Sequence, residues 1–414
     1  MNLLSARSSP ALLPASVFLI SLPFSHTVAL RLLSLAIAVA ITFITWRSRP
    51  TPPIPFKWPL LFWAGLATLS LSWATSPSYS LGEIKNEIGY TMLTFFMFYN
   101  LTQGEREWKV WRQVLKIGFL AISVSGVMGY WLARAKWNVG GLHGGAGDYS
   151  TYLITISPFL LLSAIKNPHT KFLENLGWLL LPILLLGGYL TLNRAFWPAL
   201  IAVYAVFGFL YAIRFHAPKA RKRILGVFLI VTILVLMQFI DVAKQKVAPV
   251  RTDTELLAKI IKDDPRILIW KYAIENIKEH PLTGAGFGRD AMQRSFKMAF
   301  PDEQYIHSHN LFLDYALQMG IGGVLALSIL FFAICREFWI LYRATNLDAS
   351  LIGIFGLSLV AGIIVKNMTD DFFVRQHTLL FWALIGMSLG YGKRLLMTQT
   401  PLDLNHSTKS ISTS

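Results

Sequence analysis

The residues best suited to chemistry in this sequence are two histidines and three arginines that lie far apart in the chain. His307, Ser308, His309 and Asn310 stand directly before a long apolar stretch. A free imidazole titrates near pH 6.5, so such a histidine can take a proton from an attacking hydroxyl at neutral pH. The same four residues could instead cap a helix start. They could also be half of a metal site completed by Asp302 or Glu303, a weaker reading because the third ligand is not close by. Arg194 sits in LNRAFWPAL, an almost loop-free reversal between apolar stretches, where a guanidinium is costly unless it is paired or working. The competing reading is an arginine snorkelling to the interface. Arg266 opens the run RILIWKYAIENIKEHPL, and Arg289 follows three closely spaced glycines in PLTGAGFGRD. Bare backbone amides beside a guanidinium suit an anion, although a tight turn explains the glycines equally well. Without a preceding buried strand, the glycine run is no dinucleotide fingerprint. The acidic pairs Asp263–Asp264 and Asp370–Asp371 read as solvated loops more readily than as divalent-cation sites.

The elements that must position these residues are membrane helices. Of 414 residues, 54% are hydrophobic and only 14% charged, with a mean hydropathy of +0.51, whereas soluble domains carry about 25% charged residues. A large water-soluble enzyme is excluded on that balance. Apolar stretches of about 16 to 20 residues recur along the chain, each long enough to cross roughly 30 Å of hydrocarbon. The net charge of +16 is dispersed between these stretches and forms no stripe or tail, which argues against a nucleic-acid partner. The single cysteine, Cys335, excludes an intrachain disulfide and a cysteine-cluster metal site.

The expected fold is an all-α polytopic membrane protein with about 12 transmembrane helices and one large helical loop between helices 9 and 10. The first stretch, from Ala11 to Phe24, contains Pro14 and Pro23 and reads as a membrane helix, not as a cleaved leader. Lys and Arg concentrate in alternate short loops, at Arg47 and Arg49, at Arg106, Lys109 and Arg112, and from Arg214 to Arg223. That asymmetry predicts both termini in the cytoplasm. The expected division is helices 1–9 over 1–241, an outer loop over 242–309, helices 10–12 over 310–395 and a polar, disordered tail over 396–414. Within the loop, Ile267, Trp270, Ile274 and Ile277 recur at helical spacing and predict an amphipathic helix lying over the bundle. A glycine-rich outer segment, Trp137 to Ser150, could bring backbone close to a ligand.

The run RILIWKYAIENIKEHPLTGAGFGRD, followed about twenty residues later by HSHNLFLDYALQMGIGGVLAL, resembles the signature of the O-antigen ligase and polymerase family of bacterial envelope proteins. The specific motifs lie in Leu192 to Ala195 and Arg266 to Gly323. Within the family, the length and compact single loop resemble the lipopolysaccharide ligases more than the longer protein O-oligosaccharyltransferases.

The resemblance implies a glycosyltransferase of the bacterial inner membrane whose site faces the periplasm. It would move O-antigen polysaccharide from undecaprenyl diphosphate to a sugar hydroxyl of lipid A-core. Carried over by motif, Arg194 and Arg266 would grip the donor diphosphate. His309 would be the general base, with His307 a second candidate. Arg289 is a weaker addition to the clamp, resting on its glycine-rich surroundings. The partners implied are the lipid-linked donor, the lipid A-core acceptor and membrane lipid. No metal or cofactor is expected, because the donor is already activated and guanidinium supplies fixed positive charge. Rival expectations are the polymerase of the same family and, from a different class, a polytopic transporter, which would show related halves and midplane polar groups.

Overall fold

The computed structural model describes residues 9–47, 51–132, 141–165, 176–215, 265–301 and 305–397, with isolated positions between 222 and 237. Among the described residues the secondary structure is helical and no strand occurs. The helices are α1 (Leu12–Ser21), α2 (Val28–Trp46), α3 (Lys57–Leu69), α4 (Pro77–Glu83), α5 (Tyr90–Leu101), α6 (Glu105–Leu132), α7 (Ala146–Ile165), α8 (Leu176–Leu190), α9 (Phe196–Arg214), α10 (Pro265–Glu279), α11 (Gln293–Ala299), α12 (Leu311–Tyr342), α13 (Leu347–Asn367) and α14 (Gln376–Met397). A wider, π-type turn at Ile84–Gly89 joins α4 to α5.

Six of these helices, α2, α6, α7, α9, α12 and α13, have the length and apolar character to cross a bilayer, and the chain is a multi-pass membrane protein. Against the expected count of about 12, α1, α3 and α8 have only 10, 13 and 15 residues, short of the roughly 20 that one crossing takes, whereas α5 continues without a break from α4 through the π-type turn and α14 has 22 residues. The expected stretch at 224–241 lies largely outside the described residues, as do 242–264 and 398–414. The outer helix α2 leaves Leu33, Ile37 and Ile44 exposed, the pattern of a lipid-facing side. Helix α7 lies inside, and its polar residues are satisfied locally: Thr151 and Thr155 each return a hydroxyl to the carbonyl four residues earlier at 2.8 Å.

The long helix α12 is broken. Met319 (φ −135°) and Gly320 (φ 63°) leave helical geometry, so carbonyls and amides around them lose their intrahelical partners. The segment after α10 supplies replacements. Ala285 N donates to Leu317 O at 2.8 Å, Gly286 N donates to Gln318 O at 2.9 Å, and Ile321 N donates to Pro281 O at 2.8 Å. The two backbones touch. A Cβ on Gly284 would lie 2.5 Å from Leu317 O, and one on Gly320 would lie 2.5 Å from Pro281 O. Irregular buried backbone is tolerated where protein satisfies it, and here the glycine-rich loop does so.

Helix α10 forms where the spacing of apolar residues predicts it, but with a different face inward. Ile269 and Ala273 are buried, with Trp270 and Ile277 packed partly against them, while Ile267 and Ile274 are exposed. The helix settles on the small Ala273, which lets it lie close to Phe296 of α11 and Leu317 of α12.

Gly320→Ala is expected to destabilise the protein by about 2 kcal/mol or more, since it combines positive φ with a backbone collision. Gly65→Ala, where a Cβ meets nothing within 4 Å, is expected to stay within about 0.5 kcal/mol. Thermal unfolding midpoints of the two variants in one detergent check the difference.

Candidate functional site

Asn310 organises the histidine segment. Its side-chain oxygen accepts from Phe312 N at 3.0 Å and Leu313 N at 3.2 Å, capping α12. Its amide group donates to Met368 O at 2.8 Å, fixing the turn between α13 and α14. Ser308 N donates to Asp314 Oδ1 at 2.8 Å, and Ser308 O accepts from the Trp270 indole of α10 at 3.0 Å. The segment is therefore held by α10, α12 and the turn after α13 together. Between these anchors His309 adopts a left-handed φ of 55°, a strained conformation that persists only where surrounding contacts impose it.

The two histidines are not equivalent. His307 is buried, and its Nδ1 lies 3.2 Å from Asp314 Oδ2 and 3.1 Å from His309 N. An imidazole nitrogen serves one of these contacts at a time, and the tautomer with hydrogen on Nδ1 donates to the carboxylate and leaves Nε2 bare. The His309 ring stacks obliquely on His307 with centroids 4.1 Å apart. Burial and the Arg289 charge take the His307 imidazole down to about 4. Burial and His307 take His309 down to about 4 as well, with Arg266 and Arg289 pushing the same way. Both rings are neutral at physiological pH.

The acidic pair is buried, contrary to the solvated loop expected from sequence. Asp370 Oδ2 accepts from Lys366 Nζ at 2.7 Å and from Asn193 Nδ2 at 2.8 Å. Burial alone would raise this carboxyl, but the ammonium and the amide outweigh burial and hold it below its usual range. Asn193 Oδ1 in turn accepts Ala195 N at 2.9 Å, closing the reversal between α8 and α9. Asp370 thereby brings the Asn193–Arg194 turn to the histidine segment. Burial and the adjacent Asp314 push Asp371 up to about 7, against the pull of Arg289.

The three arginines differ in setting. Arg194 is exposed at the rim, and Arg266 is half-buried at the start of α10, where its charge reaches both His309 and Asp370. Arg289 donates to Asp371 O at 2.8 Å and lies 3.4 Å from Asp290 Oδ1. Burial lowers its tendency to stay charged, but Asp371, Asp290 and Asp314 more than compensate. The amides expected to cradle an anion beside it are otherwise engaged. Those of Ala285 and Gly286 hold the break in α12, Phe287 N donates to Ser70 Oγ at 3.0 Å, and Gly288 N donates to Gln318 Oε1 at 2.9 Å. The glycines serve close backbone packing.

His307, Asp314 and Asp371 bring ligand atoms within 4.8 Å of one another, a spacing a cation could bridge. The same spacing suits two carboxyls sharing a proton, which is how a carboxyl raised to about 7 beside a second one behaves. The alternative ligands Asp302 and Glu303 lie outside the described residues.

Residues 179–328 match the family model described as O-antigen ligase. Over this stretch the chain is similar to that family. No curated protein matches it. The matched stretch contains Arg194, Arg266, Arg289, His307 and His309. Part of the polar cluster lies beyond that stretch, since Lys366, Asp370 and Asp371 complete it. Only Lys366 carried a signal in the sequence, since it closes an apolar stretch, where a charge is costly without a partner.

Asp370→Ala leaves the fully buried Lys366 ammonium without its carboxylate and is expected to cost about 3–5 kcal/mol. Lys366→Met combined with Asp370→Leu is expected to cost at least 1 kcal/mol less than the sum of the single changes, roughly the coupling of contacting residues. Denaturation of the four proteins in one detergent closes the cycle.

Proposed function

We propose that this chain is an O-antigen ligase, a metal-independent inverting glycosyltransferase of the inner membrane working on the periplasmic side. Its donor is O-antigen polysaccharide on undecaprenyl diphosphate, and its acceptor is an outer-core sugar hydroxyl of lipid A-core. The observation that carries the reading is His309: a neutral imidazole, forced into left-handed geometry, with no hydrogen bond from its ring among the described residues and within the field of Arg266.

In this reading Arg194 and Arg266 bind the diphosphate. Arg289, engaged with Asp290 and the Asp371 carbonyl, adds charge from the side and ties the outer loop to the turn after α13. The acceptor oxygen forms a bond to the anomeric carbon as the bond from that carbon to the diphosphate oxygen breaks. The electron pair leaves with undecaprenyl diphosphate, whose charge the guanidiniums stabilise. The acceptor proton passes to His309, the more exposed of the two histidines, while His307, fixed to Asp314, supports its ring. Attack opposite the leaving group inverts the anomeric centre.

Deleting the gene is expected to abolish the lipopolysaccharide ladder while long polymer accumulates on undecaprenyl diphosphate. A core bearing a single repeat unit would identify a polymerase instead, and an unchanged ladder would remove both readings. Complementation with Arg194→Ala, Arg266→Ala or His309→Ala is expected to restore less than about 1% of transfer, the scale of losing a proton-transfer or charge-stabilising group. Chelators are expected to leave transfer unchanged.

The neutral form of His309 is the active one, so activity is full above its pKa and is lost as pH falls through it. The acid limb of kcat/KM is therefore expected at about 4, since this parameter reports the free enzyme. The limb of kcat is expected at higher pH, because the bound diphosphate offsets the arginine charge that depresses His309. Steady-state rates across the acid range measure both.

A further inference from the structure

A second cavity lies on the same outer layer and takes no part in the transfer chemistry. It encloses about 400 Å³ between the C-terminal end of α10, the segment before α4 and the outer part of α12, within the range of about 300–1,000 Å³ typical of ligand sites. Trp73, Thr75, Asn276, His280, Thr283 and Ser295 supply its polar and aromatic walls. Among the described residues its lining holds no Lys, Arg, Asp or Glu, so these walls offer nothing to match a diphosphate or a lipid headgroup. The Trp73 N–H is already donated to Thr283 O at 2.6 Å, which leaves ring surface as that residue's contribution. The side chains of Thr75, His280, Thr283 and Ser295 hydrogen-bond no other described residue. A membrane-side groove on α3, lined by Leu61, Ala64 and Leu69, is apolar by contrast.

Uncharged donors and acceptors around an aromatic face suit a ligand that is itself a ring with an apolar side and a rim of hydroxyls. Helix α10 connects this cavity to the transfer site. Arg266 and Trp270 lie at one end, the latter bonded to Ser308 O, and His280 follows fourteen residues after Arg266. At 1.5 Å per residue His280 lies about 21 Å from Arg266 along the helix, while the wall formed by Ala316 and Leu317 begins within one helical turn of Asp314, so the cavity adjoins the transfer site and is within reach of an extended glycan.

We propose that this cavity is a neutral-sugar subsite that holds a glycan unit next to the reacting one. The assignment rests on the reading of the chain as a glycan transferase. Binding of that neighbouring unit then positions a long substrate at the transfer site.

The test uses the full chain in nanodiscs and two probes: O-polysaccharide released from its lipid by mild acid, and core oligosaccharide stripped of lipid A. Saturable binding of one probe by calorimetry is expected, weakened about tenfold or more in His280→Ala/Ser295→Ala, as loss of two hydrogen bonds predicts. The probe affected tells whether donor or acceptor occupies the cavity. Thr75→Val, from the opposite wall, is expected to act in the same direction. In transfer assays with the intact substrates the loss is expected in KM, with little change in kcat. Equal binding by wild type and variants, or a wild type that transfers but binds neither probe, overturns the subsite and leaves the ligase reading standing. A wild type that binds a probe through these residues without transferring overturns the ligase reading and keeps the subsite.

Discussion

The broken helix α12 sets the condition that the rest of the outer layer meets. Buried backbone groups released around Met319 and Gly320 carry a desolvation cost unless they find partners. The amides of Ala285 and Gly286 and the carbonyl of Pro281 provide them. That requirement fixes the loop after α10 against the bundle. Trp270 of α10 then meets Ser308, and the first part of α12, which carries Asn310 and Asp314, is turned into a platform for the histidines. Two peptide segments that are neighbours in space but more than thirty residues apart in sequence thus hold one another in place.

Around this platform the electrostatics divide into charges that are balanced and charges that are left to act. Lys366 and Asp370 neutralise one another and recruit Asn193, and Arg289 is surrounded by Asp290, Asp314 and Asp371. Each pairing offsets a desolvation cost that either partner alone would impose. Arg266 contributes a field that His309 and Asp370 both feel. Burial is the main reason the His309 imidazole stays neutral, and low dielectric lets the Arg266 field add to it at a distance.

Much of this was legible in the sequence, for reasons specific to each feature. Membrane helices announce themselves through length and hydropathy, which depend on the bilayer and not on neighbours. The motif residues from Arg266 to Asn310 stood out because polar groups at the mouth of an apolar stretch are costly. Burial of Asp370 and Asp371 was not legible, since a DD pair in a short turn looks the same whether water or Lys366 faces it. The glycines of PLTGAGFGRD were open to two readings, and the choice depended on a kink in α12 that no local pattern marks. The inward face of α10 was misjudged for a related reason: in an interfacial helix the larger apolar side chains Ile267 and Ile274 can stay outside while the small Ala273 makes the close contact.

A base held neutral by burial, with nearby arginines adding to the effect, has a consequence for selectivity in the proposed reaction. With the clamp empty, the positive field depresses His309, and a water molecule near it meets a poor proton acceptor. When a diphosphate occupies the clamp, its negative charge cancels part of that field and the imidazole becomes more basic at the moment an acceptor hydroxyl must be deprotonated. Donor binding would then switch on the base through charge alone, with no movement of the backbone.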